Sequence, residues 1–369
     1  MRAGRGYLLI SMLFRLRYFD WALIGAIAVL ATASLLSLAS SDSVFFWRQL
    51  VWYVMAFLVI ISGGFFDWRW LGAQNWFRYG LYAFSIFLLV ISRIQGGIVR
   101  GTTSWISFGA FQFEPSELVK LALIFIFAHF FSKHHIDAWR SKNILISLSY
   151  LVIPGILIIT QPDFGGAFII GSLWLGFFLM SGINIKRFLI GTFGVILLLV
   201  LMWVSFLKPY QKDRVVGFIS PNADPLGVNY NVIQSKIAIG SAGLLGKGFG
   251  SGTQTQFQFL PESQTDFIFA AFVEEWGIIG GIVIIAAFFF IVYRIAGIGI
   301  RARDNYFKLI CFGGGLFLVI HFFVNMGANL GFLPVAGVTF PFLSYGGSNL
   351  LTTGIIISII EHIKLESSA

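Results

Sequence analysis

Apolar residues run through this chain in long blocks that are separated by short polar segments. Each block is close to the roughly 20 residues that an α-helix needs to cross the hydrocarbon core of a bilayer. That window, moved along the chain, predicts ten membrane-spanning helices centred near residues 29, 55, 85, 124, 152, 173, 198, 281, 317 and 350. The pattern therefore predicts an all-α polytopic membrane protein in which residues 1–369 form a single membrane domain.

One polar segment is much longer than the others. Residues 208–264 separate predicted spans seven and eight and are rich in glycine and polar side chains. Lysine and arginine are concentrated in the N-terminal arm and in the even-numbered loops, so the positive-inside rule places both termini in the cytoplasm. The short loops of the opposite side hold only Arg48, Arg93 and Arg100. The long loop 208–264 is then predicted to be extracytoplasmic.

Composition and charge narrow the class of protein. The chain has 369 residues, of which 57% are hydrophobic and 11% are charged, whereas soluble globular proteins carry about 25% charged residues. The 25 lysines and arginines outnumber the 16 acids, but they are spread over short loops and form no continuous patch, so no nucleic-acid partner is predicted. The single cysteine, Cys311, lies in an apolar span, which rules out an intrachain disulfide.

Asp266 is the strongest candidate for chemistry. It follows the segment LPESQT at the predicted outer end of span eight. Because a carboxylate at the start of a membrane-spanning helix loses favourable hydration, such a residue is a functional hypothesis unless a structural partner explains it. Asp266 is therefore predicted to act at the outer surface of the membrane.

A second charged motif opens predicted span four. Glu117 and Lys120 follow Pro115, which suits the first turn of a helix. Three positions apart, the two charges share one helix face and can pair, which lowers the cost of holding them near the membrane. A structural ion pair and a substrate-binding pair both fit this pattern, and one pair can serve as both.

Polar residues also interrupt the last two predicted spans on the same outer side. Among them are Asn325, Asn329, Ser344 and Tyr345. Irregular backbone at membrane depth is tolerated only where it is buried in protein or lines a wet cavity, so we expect a cavity that opens outward. The histidines lack the companion ligands that a metal site needs, and no metal ligands are predicted.

Five motifs, in order and spacing, resemble the SEDS family of bacterial cell-wall polymerases along most of the chain. They are PSELVKLALI at 115–124, QPDFGGAFI at 161–169, QSKIAIGSAGLLGKGFGSGTQ at 234–254, LPESQTDFIFA at 260–270 and PFLSYGGSNL at 341–350. The third motif is more similar to the elongation branch of the family than to the division branch. The chain departs from the family at Glu114, where the usual residue is glutamine.

The resemblance implies a SEDS fold and a peptidoglycan glycosyltransferase that polymerises lipid II during cell elongation at the cytoplasmic membrane. It implies that Asp266 is the general base that takes the proton of the acceptor hydroxyl, in an inverting displacement of undecaprenyl pyrophosphate. Glu117 and Lys120 would line the same cavity. The outer-side cations available for the pyrophosphate are Arg100, Lys120, Arg214 and Lys236, with Ser344 and Tyr345 as further substrate contacts.

The implied partners are a class B penicillin-binding protein and other membrane proteins of the elongation complex. A divalent cation, Mg²⁺ or Mn²⁺, is a candidate helper for the leaving group, and no organic cofactor is expected. A lipid II flippase would use the same cavity but predicts ionisable groups near the bilayer midplane and repeat symmetry. A division-type polymerase and a noncatalytic scaffold are two further hypotheses, and a scaffold needs no acid at Asp266.

Overall fold

The computed structural model describes residues 19–95, 104–108, 111–134, 137–181, 227 and 229–368. This part of the chain is helical apart from one short antiparallel hairpin, which confirms the all-α prediction. The elements before the long loop are α1 (Trp21–Ser41), α2 (Ser43–Gly64), α3 (Trp68–Ala73), α4 (Asn75–Gln95), β1 (Ile106–Phe108), β2 (Phe111–Phe113), α5 (Pro115–His134), α6 (Ser141–Thr160) and α7 (Phe164–Met180). Those that follow are α8 (Tyr230–Ser241), α9 (Thr253–Gln256), α10 (Ile268–Arg301), α11 (Asn305–Leu330) and α12 (Gly347–Ser368).

Within these described ranges, 7 helices are long and apolar enough to cross a membrane. They are α1, α2, α4, α5, α6, α10 and α11. Helix α7 has 17 residues and α12 is less apolar, yet both stand where a span is predicted. The predicted span near residue 198 and residues 208–226 of the long loop lie outside the described residues. The protein is therefore a multi-pass membrane protein, and the count of ten spans stays a prediction.

Helix α5 lies at the centre of the helix assembly. Of its most apolar window, 83% is buried inside the protein, whereas the corresponding windows of α2 and α6 are 22% buried. It packs on α4, α7, α11 and α12. Phe127 and Phe131 contact Phe177 of α7, with ring centroids 5.8 and 6.0 Å apart. A helix that is apolar on all faces is expected in such a position. The Glu117 motif at the start of this helix therefore lies in the core of the protein.

Helix α10 is broken at Gly277, where the backbone adopts φ 74° and ψ 179°. The glycine-rich part of the long loop fills the break. Lys247 N and Gly248 N donate to the carbonyls of Glu274 and Glu275, each at 3.0 Å. Ile278 N in turn donates to Gly243 O at 3.0 Å. Backbone groups that a broken helix leaves unpaired must find partners at membrane depth, and the loop supplies them.

The close approach of the two backbones requires glycine. A Cβ on Gly246 would overlap the carbonyl oxygen of Glu275, and Gly246 has φ +82°. Both the contact and the left-handed conformation disfavour any other residue. The sequence predicts span eight as one helix; the structure divides it into a short helix, which begins just after Asp266, and a long membrane helix.

Candidate functional site around Asp266

Asp266 lies in the turn that leads into α10, two residues before the helix begins. Its side chain is half-buried. Its backbone carbonyl accepts hydrogen bonds from the side-chain amides of Asn325 at 2.9 Å and Asn329 at 2.8 Å. Both asparagines are buried in the last turns of α11. The sequence placed Asp266 at a helix start, and the structure shows that α11 fixes the position of this residue through its backbone.

The segment before α12 holds the same turn from another side. Ser344 donates its hydroxyl to the carbonyl of Thr265 at 2.6 Å and accepts from the backbone N–H of Phe340 at 2.8 Å. Tyr345 N donates to Gln264 O at 2.9 Å. Ser344 is buried and both of its hydrogen-bonding roles are occupied, so the described contacts make it a residue that positions the Asp266 turn.

Tyr345 is also part of this support. Its ring packs edge-on against Phe45 of α2, with the ring centroids 4.8 Å apart. The ring is partly buried. The two aromatic rings therefore join the start of α2 to the segment that holds the Asp266 turn.

The Glu117–Lys120 ion pair forms as the spacing predicts. Lys120 Nζ lies 2.6 Å from Glu117 Oε1, and the side chains are 3% and 4% exposed. The second carboxylate oxygen, Oε2, accepts from the side-chain amide of Asn349 in α12 at 3.1 Å. Buried charges need both a partner and further hydrogen bonds, and this pair has them. Glu117 and Lys120 therefore form a structural ion pair, whereas a role of this pair in substrate binding stays a prediction.

Two further carboxylates surround Lys120. Glu114, immediately before α5, accepts from Ser116 Oγ at 2.6 Å, and its backbone N–H donates to Ser348 Oγ at 3.1 Å. Asp163 caps α7 by accepting from Gly166 N at 2.8 Å. Burial raises the pKa of Glu114 to about 7, with Lys120 opposing the shift. Burial likewise raises the pKa of Asp163.

Glu274 is a buried carboxylate that the sequence did not single out, although its motif, EEWG, stands beside the glycine-rich loop. It is fully buried and accepts from Lys247 Nζ at 2.7 Å, from Gln254 N at 3.0 Å and from Thr253 Oγ1 at 3.1 Å. A carboxylate with this many donors is satisfied as a charged group. Glu274 therefore fastens the long loop to the short helix that follows Asp266.

Two of the predicted cations, Lys120 and Lys236, lie in the described residues. Lys236 of α8 is exposed, and the end of its side chain lies against Gly331. Gly331 ends α11, and a lysine at a helix C-terminus interacts favourably with the helix dipole. Arg100 and Arg214 lie outside the described residues. Of the predicted cations, Lys120 is paired with Glu117, so its charge is largely offset.

The described residues contain no group of three His, Cys, Asp or Glu side chains placed to hold a metal ion. His321 is buried and its Nδ1 lies 3.2 Å from Thr339 O, while its Nε2 has no partner among the described residues. A divalent cation held by one or two carboxylates together with substrate phosphates stays a prediction.

The chain was compared with known proteins. Residues 11–369 match the family model of the FtsW, RodA and SpoVE cell cycle proteins. The chain belongs to this family, the SEDS family. Among SEDS relatives, the peptidoglycan glycosyltransferase MrdB of Escherichia coli strain K12 is 37% identical over 300 residues, which cover 80% of each chain.

A second SEDS relative is the probable peptidoglycan glycosyltransferase FtsW of Saccharophagus degradans. It is 33% identical over 368 residues, covering 95% of this chain and 93% of that protein. A solved chain from a peptidoglycan synthase complex that coordinates polymerization and crosslinking superposes with a TM-score of 0.82 at 29% identity, and the match covers 95% of this chain and 98% of that one. The chain therefore has the SEDS fold.

Proposed function

We propose that this chain is a peptidoglycan glycosyltransferase that polymerises lipid II and uses Asp266 as its general base. The observation that carries the proposal is the fixed position of Asp266, whose backbone carbonyl accepts from Asn325 and Asn329 while its side chain is half-buried at an outer helix start. Catalytic groups must be held by supporting residues whose own positions are fixed by packing and hydrogen bonds. The names of the MrdB and FtsW relatives support the same activity.

The proposed reaction is a single displacement. The 4-hydroxyl oxygen of the acceptor GlcNAc forms a bond to the anomeric carbon of the donor, and the proton of that hydroxyl passes to the Asp266 carboxylate. The bond between the anomeric carbon and the pyrophosphate oxygen breaks at the same time, and undecaprenyl pyrophosphate leaves with its electron pair. Attack opposite the leaving group inverts the anomeric centre. A positioned base contributes about 10²–10⁴-fold to such a step.

Positive charge is required where the pyrophosphate leaves. Arg100, Arg214 and Lys236 are proposed to supply it, because Lys120 is already paired with the buried carboxylate of Glu117. Lys236 is exposed on α8 and can turn toward a bound anion without breaking an ion pair among the described residues. A divalent cation stays a proposal, since one or two carboxylates together with the pyrophosphate oxygens can hold Mg²⁺.

The proposal extends to location and partners. The chain would lie in the cytoplasmic membrane with both termini in the cytoplasm, as its lysine and arginine distribution predicts. A class B penicillin-binding protein that crosslinks the glycan is the proposed partner, because the matched solved chain comes from a complex of polymerization and crosslinking. Other membrane proteins of the elongation complex would join it.

The deciding experiment incubates the purified full-length chain with lipid II, with and without its penicillin-binding protein, and separates the products by chain length. We expect glycan strands from the wild type. Asp266→Asn keeps shape and hydrogen bonding but removes basicity, so it should fold normally and polymerise at a rate reduced about 10²-fold or more. Glu262→Gln is the matched control, because Glu262 is an exposed acid in the same turn region and glutamine keeps an oxygen that can accept from the Thr265 hydroxyl, as Glu262 Oε2 does at 2.8 Å.

Two results would overturn the proposal. Glycan synthesis near the wild-type rate by well-folded Asp266→Asn would remove the carboxylate from the mechanism. Transfer of lipid II across a vesicle membrane without any polymer, even with the penicillin-binding protein present, would identify a flippase instead.

A further inference from the structure

Arg78 is a buried cation at the other end of the helix assembly from Asp266. It lies in the first turn of α4 and is 2% exposed. Its guanidinium donates to Gly72 O and, at 2.5 Å, to Asn75 Oδ1, and it lies 3.3 Å from His129 Nε2. His129 stands twelve positions after Glu117 on α5, so the two sites are separated by about 18 Å along that helix.

The charge of Arg78 has no counter-charge in the described part of the chain. Within those residues, no carboxylate lies within 4.0 Å of the guanidinium. The Nε–H is buried without a partner among the described residues, whereas the hydroxyl of Tyr306, which is 9% exposed and lies beside Gly72, interacts with the guanidinium. Arginine stays protonated in proteins, and a buried unpaired charge is strongly unfavourable. The guanidinium therefore presents an unused donor, its Nε–H, to a missing acceptor.

The ionisable groups that act on His129 are also basic, whereas the carboxylate of Asp304 acts on the neighbouring Tyr306. Lys133 and His134 act electrostatically on His129, together with Arg78 itself. The contact to Gly72, near the C-terminus of the short helix α3, uses only one nitrogen of the guanidinium. Capping of α3 therefore explains the hydrogen bond from Arg78 to Gly72. It does not explain why the positive charge and the Nε–H of Arg78 are buried.

A pocket gives access to this cation. It is a small pocket of about 20 Å³ that is partly open to the surroundings, and it is lined by Arg78, Tyr79, Ile126, His129, Phe130 and Tyr150. Trp70 and Trp76 flank the same end of α4 and are 57% and 64% exposed. Tryptophan side chains concentrate at the headgroup level of a membrane. The pocket therefore opens where lipid headgroups lie.

We propose that this pocket binds the phosphate group of a net-anionic membrane lipid, at the face of the protein opposite Asp266. The planar guanidinium matches phosphate oxygens and forms charge-assisted hydrogen bonds to them. A zwitterionic headgroup carries its own cation and leaves the charge of Arg78 uncompensated. Free inorganic phosphate has the same donor requirements, so the test distinguishes the two sources.

Crosslinking from Tyr79 tests the proposal without altering Arg78. Tyr79 lines the pocket and is 45% exposed, so p-benzoyl-phenylalanine can replace it as another aromatic side chain. The full-length protein is reconstituted in phosphatidylcholine vesicles with a minority of phosphatidylglycerol, irradiated, and its lipid adducts identified by mass spectrometry. The matched control carries the same probe at Tyr293, which is 70% exposed on α10.

We expect phosphatidylglycerol adducts at position 79 to exceed their share of the bilayer about tenfold, because both lipids offer a phosphate but only the net-anionic lipid compensates the charge of Arg78. Adducts at position 293 should follow the bilayer composition. Arg78→Gln should abolish the enrichment and Arg78→Lys should reduce it. Arg69→Gln, which changes an arginine at the same end with a 64% exposed side chain, should leave it unchanged.

Inorganic phosphate identifies the source of the ligand. Enrichment that persists when phosphate is added supports a lipid headgroup. Loss of enrichment together with thermal stabilisation of the wild type by phosphate would assign the pocket to the free anion and overturn the lipid proposal. Equal adduct composition at positions 79 and 293, with no stabilisation by phosphate, would show that the pocket binds neither, whatever the folding of the Arg78 variants.

Discussion

The side-chain amide of Asn329 donates to the backbone carbonyl of Asp266 at 2.8 Å. The same amide nitrogen also donates to Asn325 O at 2.9 Å. The side-chain oxygen Oδ1 of Asn329 accepts from Ala270 N at 3.3 Å. One buried side chain of α11 therefore joins the Asp266 turn to the short helix that follows it. The position of the proposed base depends on the neighbouring helix as much as on its own.

Asn329→Ala should reduce polymerisation more than it reduces stability. Loss of buried hydrogen bonds costs about 1–3 kcal/mol, and a displaced catalytic group can lose about 10² in rate. Asn143→Ala is the matched control, because Asn143 is a buried amide that donates to Asp137 O at 2.8 Å, away from the Asp266 turn. Thermal unfolding and lipid II polymerisation are measured on both. Equal activity per folded molecule in the two variants would contradict a positioning role for Asn329.

Lys120→Met should destabilise the protein severely, because it leaves the Glu117 carboxylate buried and unpaired. Removing one partner of a buried pair typically costs about 3–5 kcal/mol. Adding Glu117→Gln to that variant removes the second charge and should recover most of the folded yield. The exposed pair of Arg140 and Asp137 has the same spacing, so Arg140→Met should cost less than about 1 kcal/mol.

The activity of the Glu117→Gln, Lys120→Met double variant distinguishes a purely structural ion pair from a pair that binds substrate. The charges are almost completely buried against each other and Asn349, so we expect polymerisation to return with folding. A well-folded double variant without polymerase activity would assign the charges to substrate binding.

Glu114→Gln should change how stability depends on pH. Burial raises the pKa of Glu114 in the folded protein from 4.5 to about 7, so the folded state holds this proton over a pH range in which the unfolded state has released it. Stability must then fall as pH rises between these two values. The glutamine variant lacks this term and should gain stability relative to the wild type between about pH 5 and pH 8.

Thermal unfolding midpoints measured across that range test the Glu114 prediction, with Glu262→Gln as the exposed-carboxylate control. Parallel curves for the wild type and Glu114→Gln would show that the pKa of Glu114 is the same in the folded and the unfolded protein. Lys120, Glu117 and Asp163 all act on Glu114, so the measured step belongs to the cluster.

The orientation of the chain can be tested with a single thiol. Cys311 is buried, and Cys311→Ser provides the background. Ser251 is exposed in the glycine-rich loop, and a cysteine there should react with an impermeant thiol reagent applied to intact cells. Ser141, exposed at the start of α6, is predicted to face the cytoplasm, and Ser141→Cys should react only after permeabilisation. The reverse pattern would invert the predicted topology.

The sequence predicts the helices well because apolar length alone decides membrane spans. Each predicted span centre except residue 198, which is outside the described residues, falls inside a helix. The same reasoning misses the break at Gly277, since glycine at φ 74° looks like any other small residue in an apolar run. Hydropathy carries no information about backbone conformation.

The candidate site was also predicted only in part from the sequence. Asp266 and the Glu117–Lys120 pair are visible in sequence because local spacing determines a helix start and a shared helix face. The asparagines that hold Asp266, and the amide of Asn349 that completes the Glu117 carboxylate, come from distant helices. Contacts of that kind depend on how helices pack, which one sequence does not reveal.

The backbone pairing across Gly277 determines which parts of this chain can be exchanged with those of a relative. Loop residues 243–248 and helix residues 274–279 form a single interlocked piece, and Glu274 adds side-chain ties to residues 247 and 253–255. A chimera that takes this loop from a relative but keeps its own helix start would combine a loop and a helix from different proteins. The backbone pairing between them would then not be preserved. The smallest transplantable module therefore runs from α8 through the break, and it carries Asp266 with it.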